Sequence, residues 1–347
     1  KNFLYKYLQN NYQIRMIKTM NKAYLNINEI QKMVSVDLLA VNNIIIDNIG
    51  NDVPLINDLS KHILASGGKR IRPMITLLTS SICNYSGKNH LFLAACIEFI
   101  HTATLLHDDV IDESKMRRGL ATANDIFGNK ASVLVGDFLF SRAFEIMVAN
   151  GSKQILEILS KASSTIAQGE VLQLTTINDC NTTKELYMKI IKRKTASLFA
   201  AAAEISAVLS EEKLEIQNSL KIYGEKLGIA FQLVDDALDY AGTSALDKKI
   251  GDDFREGKMT LPLIISIEKA TPEEKCFWTR TIENLEQSSD DLNKAIELIN
   301  KYDGIDATLR IAKKYSIEAI KSLDIFPKSE AKLALESIAI IAVDRKK

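Results

Sequence analysis

Residues 91–112 read LFLAACIEFIHTATLLHDDVID: an apolar run from Leu91 to Leu106, then three aspartates at spacing i, i+1 and i+4. Apolar residues recur at helical intervals with no competing period-two alternation, so the stretch predicts a helix over Leu91 to Ile111. A helix that is apolar on most sides packs inside a protein, which puts Asp108, Asp109 and Asp112 at the mouth of a buried element. Asp108 and Asp112 lie one turn apart on one face. Like charges at that spacing weaken a helix by ~0.2–0.5 kcal/mol and Asp is a poor helix former, so stability does not favour the triad. A hard cation between the carboxylates does, although a solvated acidic helix end is the other reading of one such triad. A second copy, Asp235, Asp236 and Asp239, follows the apolar run Leu227 to Val234. Two triads on different helices can face each other across a cavity.

The helical period recurs at Ile30 to Ile49, Pro73 to Cys83, Ala131 to Ala149, Ile155 to Leu174, Thr183 to Leu209, Leu214 to Tyr240, Leu261 to Glu268, Leu292 to Lys301, Ile305 to Leu323 and Ser329 to Val343. Only 5 prolines and 15 glycines punctuate 347 residues, which favours long helices. Thr182, with Glu185 three residues on, has the capping-box pattern of a helix start. No low-complexity linker divides the chain. Residues 27–347 are therefore expected to form one all-α domain, and residues 1–26, rich in Lys, Asn and Tyr near the start, an N-terminal extension that is disordered or leader-derived. Apolar residues at 46% supply ample core, and 44 basic side chains balance 44 acidic ones, leaving no global field for nucleic acid or an anionic membrane. The apolar runs are interrupted or shorter than the ~20 residues of a membrane span. Cys83, Cys96, Cys180 and Cys276 lack CxxC or zinc spacing and read as reduced packing residues of a cytoplasmic protein.

Oxygen-only ligands favour magnesium, which usually bridges carboxylates to substrate phosphates, so the aspartates imply a diphosphate ligand. The cations that such a ligand needs occur in separate clusters: Lys69, Arg70 and Arg72; Arg117 and Arg118; Lys192, Arg193 and Lys194 before Thr195; and Lys248 through Lys258. Each alone is an ordinary solvated patch, but together their Arg forks and Lys point charges suit phosphate. His101 stands two turns before Asp108 on the same face, aimed into the same cavity or satisfied in the core. Glu98 and His101 also make an ExxH pattern of the kind found in di-iron bundles, but His62, His90 and His107 supply no second copy. Nucleophile-elbow, P-loop, HExxH and dinucleotide motifs are absent.

Taken together, GGKRIRP (67–73), IEFIHTATLLHDDVIDESKMRRG (97–119), the pair Lys194-Thr195, FQLVDDALDY (231–240) and KIGDDFREGKMTLP (249–262) resemble the long-chain trans-polyprenyl diphosphate synthases, most of all the bacterial octaprenyl diphosphate synthases. The likeness runs from about Ile27 to the C-terminus. It implies an isoprenoid-synthase-type helical bundle around a central cavity, usually a homodimer. Such enzymes elongate farnesyl or another allylic diphosphate with isopentenyl diphosphate to make the polyprenyl side chain of ubiquinone and related quinones.

By the same resemblance Asp108, Asp112, Asp235 and Asp239 bind Mg2+, with Asp109 and Asp236 in support. Arg117, Lys194, Thr195, Gln232, Lys248 and Lys258 hold the allylic diphosphate, although Lys249 beside Lys248 leaves open which of the two reaches the phosphate. Lys69, Arg72, His101 and Arg118 hold isopentenyl diphosphate, with Arg70 a secondary candidate. The allylic C–O bond ionises, the isopentenyl double bond attacks the cation, and proton loss regenerates an allylic product one unit longer. Small Ala103 and Thr104, where short-chain members tend to carry an aromatic, leave a product tunnel open. Its floor is expected on the helix Ala131 to Ala149, at Phe140, Phe144 or Met147, unless these are ordinary core residues. A terpene cyclase and the non-catalytic subunit of a two-component synthase are the rival readings. The repeated DDxxD and the full set of charged residues weigh against both.

Overall fold

The computed structural model of the chain describes residues 24–50, 52–65, 68–117, 119–241 and 250–344, apart from the side chains of 64 and 65. Among these residues the expected all-α class holds. In order the helices are α1 (Ile27–Met33), α2 (Ser35–Ile49), α3 (Pro54–Ala65), α4 (Ile71–Ile82), α5 (Asn89–Ile111), α6 (Ala123–Phe127), α7 (Asn129–Asn150), α8 (Lys153–Leu174), α9 (Lys184–Ile191), α10 (Ser197–Leu209), α11 (Leu214–Tyr240), α12 (Asp252–Arg255), α13 (Leu261–Glu268), α14 (Pro272–Trp278), α15 (Asp291–Lys301), α16 (Gly304–Ser322) and α17 (Glu330–Val343). A two-residue hairpin, β1 (Met116–Arg117) with β2 (Leu120–Ala121), follows the first aspartate motif in antiparallel register.

Three expectations about element bounds are corrected. The run Ile30 to Ile49 breaks at Val34 into α1 and α2. The run Thr183 to Leu209 divides into α9, a π-helical turn over Lys192–Ala196, and α10, and its N-cap is Thr183, whose hydroxyl accepts from Leu186 N, rather than Thr182. The folded body also starts before Ile27: Leu25 N donates to Ser337 Oγ at 3.0 Å and Asn26 closes a capping box with Glu29. The remainder of the expected extension, residues 1–23, lies outside the described residues.

Two hydrophobic clusters organise the bundle. The first gathers α2, α4, α5, α7, α8, α10 and α17. The second gathers α9, α13, α15 and α16. The 27-residue α11, about 40 Å long, contributes Leu220, Tyr223 and Leu227 to the first and Leu233, Val234 and Ala237 to the second. Its C-terminal end, which carries the second aspartate motif, is thereby fixed relative to α5, which carries the first. With 23 residues α5 is long and apolar enough to cross a membrane, contrary to the shorter span expected, but it packs inside this bundle against α7, α4 and α2. Buried hydroxyls join α4 to α10: Thr76 Oγ1 donates to Ala202 O at 2.9 Å and Thr79 Oγ1 to Ser206 Oγ at 2.8 Å.

Candidate active site

The first aspartate motif closes α5, where unpaired carbonyls already make the helix end negative. Three carboxylates there need cations, and the fold supplies them from three segments. Asp109 is 2% exposed. The β hairpin returns Arg117 to it, with Nε 2.9 Å and Nη2 2.6 Å from Oδ1. Lys258 Nζ donates to Asp112 Oδ2 at 2.8 Å, and Lys194 Nζ stands 3.8 Å from Asp108 Oδ2. Burial pushes the Asp108 carboxyl above its ordinary range, and Asp112 adds to the shift while Lys194 opposes it. Burial also disfavours the charge on Lys194, yet Asp108 and Glu170 outweigh it and hold the ammonium above its usual value.

Lys194 owes its place to the π-turn, a distortion often found at functional sites. Two glycines let helices close on that turn. A Cβ at Gly169 of α8 would meet Lys194 N at 2.7 Å, and one at Gly228 of α11 would meet Ala196 Cα at 2.6 Å. One residue after Gly169, Glu170 accepts from Lys194 Nζ at 2.6 Å, and Gln173 accepts from it at 2.9 Å. Burial raises the Glu170 carboxyl to about 7, with Asp108 adding to the rise and Lys194 opposing it. Gly169→Ala should therefore lower stability by about 1–3 kcal/mol through overpacking, despite the better helix propensity of Ala. It should also reduce kcat by displacing Lys194. A variant as stable and as active as wild type in urea unfolding and turnover assays would show that α8 has room to retreat.

Thr195, the neighbour of Lys194, points to the second motif. Its hydroxyl donates to Gln232 Oε1 at 2.7 Å, and Gln232 Nε2 donates to Asp236 Oδ1 at 2.7 Å. Asp236 is 5% exposed and also accepts from Tyr187 OH. Burial first, then the Asp253 charge, lifts its carboxyl to about 7 against these two hydrogen bonds. Asp239 accepts from Asp253 N at 3.2 Å, and its carbonyl accepts from Gly251 N at 2.9 Å. The segment 250–258 is thus fastened to the second motif at one end and, through Lys258, to the first at the other. Lys194-Thr195 spans the same gap independently. The two triads face one site.

On the other wall, Arg72 stacks its guanidinium over Phe199, 4.3 Å from the ring centroid, and Phe199 pairs with Phe231 at 5.5 Å, one residue before Gln232. Lys69 is exposed just before α4, and Thr104 Oγ1 donates to His101 O at 2.8 Å. Glu98, half of the ExxH pattern, pairs with the guanidinium of Arg70. Arg118, Lys248 and Lys249 lie outside the described residues. Glu170, Gln173, Tyr187 and Asp253 went unread in the sequence. Only the i, i+3 pair Glu170 and Gln173 after Gly169 left a usable trace.

Among the described residues no three or more His, Cys, Asp and Glu side chains converge on a metal position. The donor set nevertheless fits magnesium, since each motif offers two carboxylates one turn apart and phosphate oxygens and water would complete the shell. Ala103 is fully buried, and a small cavity of about 10 Å3, room for about one water, lies on the adjacent face of α5, lined by Glu98, Phe99, Thr102, Ser60, Ile45 and Leu139. Of the expected floor residues, Met147 is buried and Phe140 packs against the core, whereas Phe144 is 40% exposed with Val148 on the outer side of α7. Its ring lies 5.8 Å from that of Phe140, one turn earlier on the same face of α7.

A family model, polyprenyl synthetase, matches residues 53–299. The chain belongs to that family and is a prenyltransferase. It is 46% identical over 322 residues to the octaprenyl diphosphate synthase of Escherichia coli (strain K12), covering 92% of this chain and 99% of that one. It is 38% identical over 314 residues to the all-trans-nonaprenyl-diphosphate synthase (geranyl-diphosphate specific) of Rhodobacter capsulatus, covering 90% and 96%. The crystal structure of polyprenyl synthase from Caulobacter crescentus CB15, complexed with calcium and isoprenyl diphosphate, matches with a TM-score of 0.90 at 46% identity, covering 94% of this chain and 100% of that one. The fold is accordingly the isoprenoid-synthase-type helical bundle.

Proposed function

We propose that this chain is a long-chain trans-prenyl diphosphate synthase. Its substrates are an allylic diphosphate, farnesyl diphosphate by preference, and isopentenyl diphosphate, and its product is octaprenyl diphosphate for the ubiquinone side chain. The observation that carries the reading is the convergence of Lys194 and Lys258, from separate segments, on Asp108 and Asp112, while their own neighbourhoods contact the second motif. Two carboxylate pairs with lysines between them match a diphosphate and its metal ions. The relatives named above carry eight-unit and nine-unit products in their names, and the greater identity to the octaprenyl enzyme supports eight.

Asp108 and Asp112 on one side and Asp235 and Asp239 on the other would hold magnesium, which when bound stabilises the charge on departing diphosphate. Lys194, Lys258 and Arg117 supply fixed positive charge to the same leaving group. Thr195 and Gln232 line the site beside them and orient each other. Lys248 is read as a further ligand of this diphosphate. Lys69, Arg72, His101 and Arg118 form the second diphosphate site, which makes the enzyme an elongating one. The apolar walls of α5, α7 and α10 shield the allylic cation from water.

The exposed apolar side chains Leu134, Phe144 and Val148 on α7 support a homodimer through that face. Four unpaired cysteines support a cytoplasmic location, and the shared α11 supports one helical domain from about Leu25 onward. Purified chain given farnesyl diphosphate, isopentenyl diphosphate and magnesium should release an all-trans chain of eight units by mass spectrometry, and light scattering should give twice the chain mass of 38.7 kDa. No elongation by the chain alone would favour a two-component partner subunit, and a cyclic hydrocarbon would favour a cyclase.

A further inference from the structure

We propose that Glu98 is a positioning residue that sets the isopentenyl diphosphate cradle through Arg70, an inference that rests on the elongating function proposed above. Glu98 lies inside α5, one turn before His101, and is 6% exposed. A carboxylate that deep requires a cation or a proton. Its partner is the guanidinium of Arg70, whose Nη1 donates to Glu98 Oε1. Arg70 is not on a regular element. It is the N-cap of α4, with φ 48° and ψ 38°, a left-handed conformation uncommon for a non-glycine residue. The ion pair anchors the Arg70 side chain while the backbone is in that conformation.

The consequence falls on the neighbours. Lys69 precedes the left-handed residue and Arg72 follows it by two, so the backbone angle at Arg70 decides where the Lys69 ammonium stands relative to the Arg72 guanidinium. Arg72 is fixed separately, by its stack on Phe199. The Lys69 side has a weaker tie, a 3.5 Å contact from Gln31 Nε2 to Lys69 O. Without Glu98, Arg70 relaxes toward ordinary backbone angles and Lys69 swings away, while Arg72 and His101 stay. Glu98 itself is directed at Arg70, so its effect on substrate passes through the loop.

The test is a split of kinetic constants in purified enzyme with farnesyl diphosphate, isopentenyl diphosphate and magnesium. Glu98→Gln should raise KM for isopentenyl diphosphate roughly tenfold, the size expected when a charge-assisted contact is loosened rather than deleted. The KM for farnesyl diphosphate and kcat should stay within about twofold. Arg70→Gln, changed from the more exposed end of the pair, should give the same split, Arg70→Lys a smaller one, and the Glu98→Gln/Arg70→Gln double variant no more than either single change. If Glu98→Gln does not fold, Glu98→Asp, which keeps the charge but shortens its reach to Arg70, carries the same comparison. Unchanged KM for isopentenyl diphosphate with a fall in kcat, or additive losses in the double variant, would show a merely structural pair and overturn the inference. Wild-type enzyme that consumes no isopentenyl diphosphate would overturn the functional reading and this inference with it; wild-type elongation without the KM split overturns this inference alone.

Discussion

Asp108→Asn should slow elongation roughly a thousandfold while leaving the protein as stable as wild type. The two halves of that result come from the same geometry. Asp108 stands half-buried at the negative end of α5 beside Asp112, so its charged form is disfavoured by the fold and the carboxyl is raised. A raised carboxylate pKa means stability that is present at low pH and lost as pH rises through it, so at neutral pH the ionised group costs stability. Asn removes that cost. Lys194 does not lose its surroundings, because Glu170 and Gln173 still accept from its ammonium.

Catalysis has no such substitute, since an amide cannot bridge a divalent cation to a leaving diphosphate as a carboxylate can. Asp109→Asn is the contrast. Asp109 is 2% exposed and holds Arg117 through two donors, so breaking that pair should cost about 3–5 kcal/mol and unfold part of the hairpin as well as lowering activity. Turnover with saturating substrates and thermal melting, measured on both variants, decide the matter. Activity of Asp108→Asn within tenfold of wild type, or a melting temperature far below it, would remove Asp108 from the role assigned to it.

The sequence was most legible where period and chemistry agreed. The extents of α5, α8, α11 and α13 follow from apolar spacing, because each buries a broad face and ends where that face ends. The aspartates, Lys194, Thr195, Gln232 and Lys258 could be chosen from residue type and motif. What could not be read was anything that depends on a local departure from the helical period. The π-turn at Lys192–Ala196 continues the apolar pattern on both sides, so nothing in Thr183 to Leu209 marks the extra residue that brings Lys194 to Asp108. Tyr187 looks like an ordinary core aromatic until Asp236 is packed against it. α14 was missed although Thr271 and Glu274 form a capping box with Pro272 in the first turn, a signal that a seven-residue helix is too short to reinforce by periodicity.

Ala103→Phe should shorten the product to within about two condensations of the starter. Ala103 lies five residues before Asp108, about 7.5 Å down the helix axis from the diphosphate anchor. A growing chain tethered at the aspartates must pass that level early, and a ring there would stop it. Ala103 is fully buried, so the same ring also overpacks α5 at a cost of about 1–3 kcal/mol. Lost stability and lost length are separable, because destabilisation reduces how much enzyme is active without altering what each active molecule releases. The distribution of product lengths is therefore the quantity to measure, by chromatography or mass spectrometry, rather than total incorporation.

The cavity beside Thr102 makes the experiment sharper. It lies about 100° around α5 from Ala103 and is lined by Phe99, Ile45, Ile49 and Leu139 together with Glu98 and Ser60, with room for a water molecule rather than an isoprenoid tail. If the passage runs along Ala103, Thr102→Phe overpacks the α2 and α3 side of α5 but leaves the product length unchanged, whereas Ala103→Phe shortens it. The reverse pattern would move the passage to the α2 and α3 side of α5. Products of wild-type length from both variants would take the passage away from this stretch of α5 altogether.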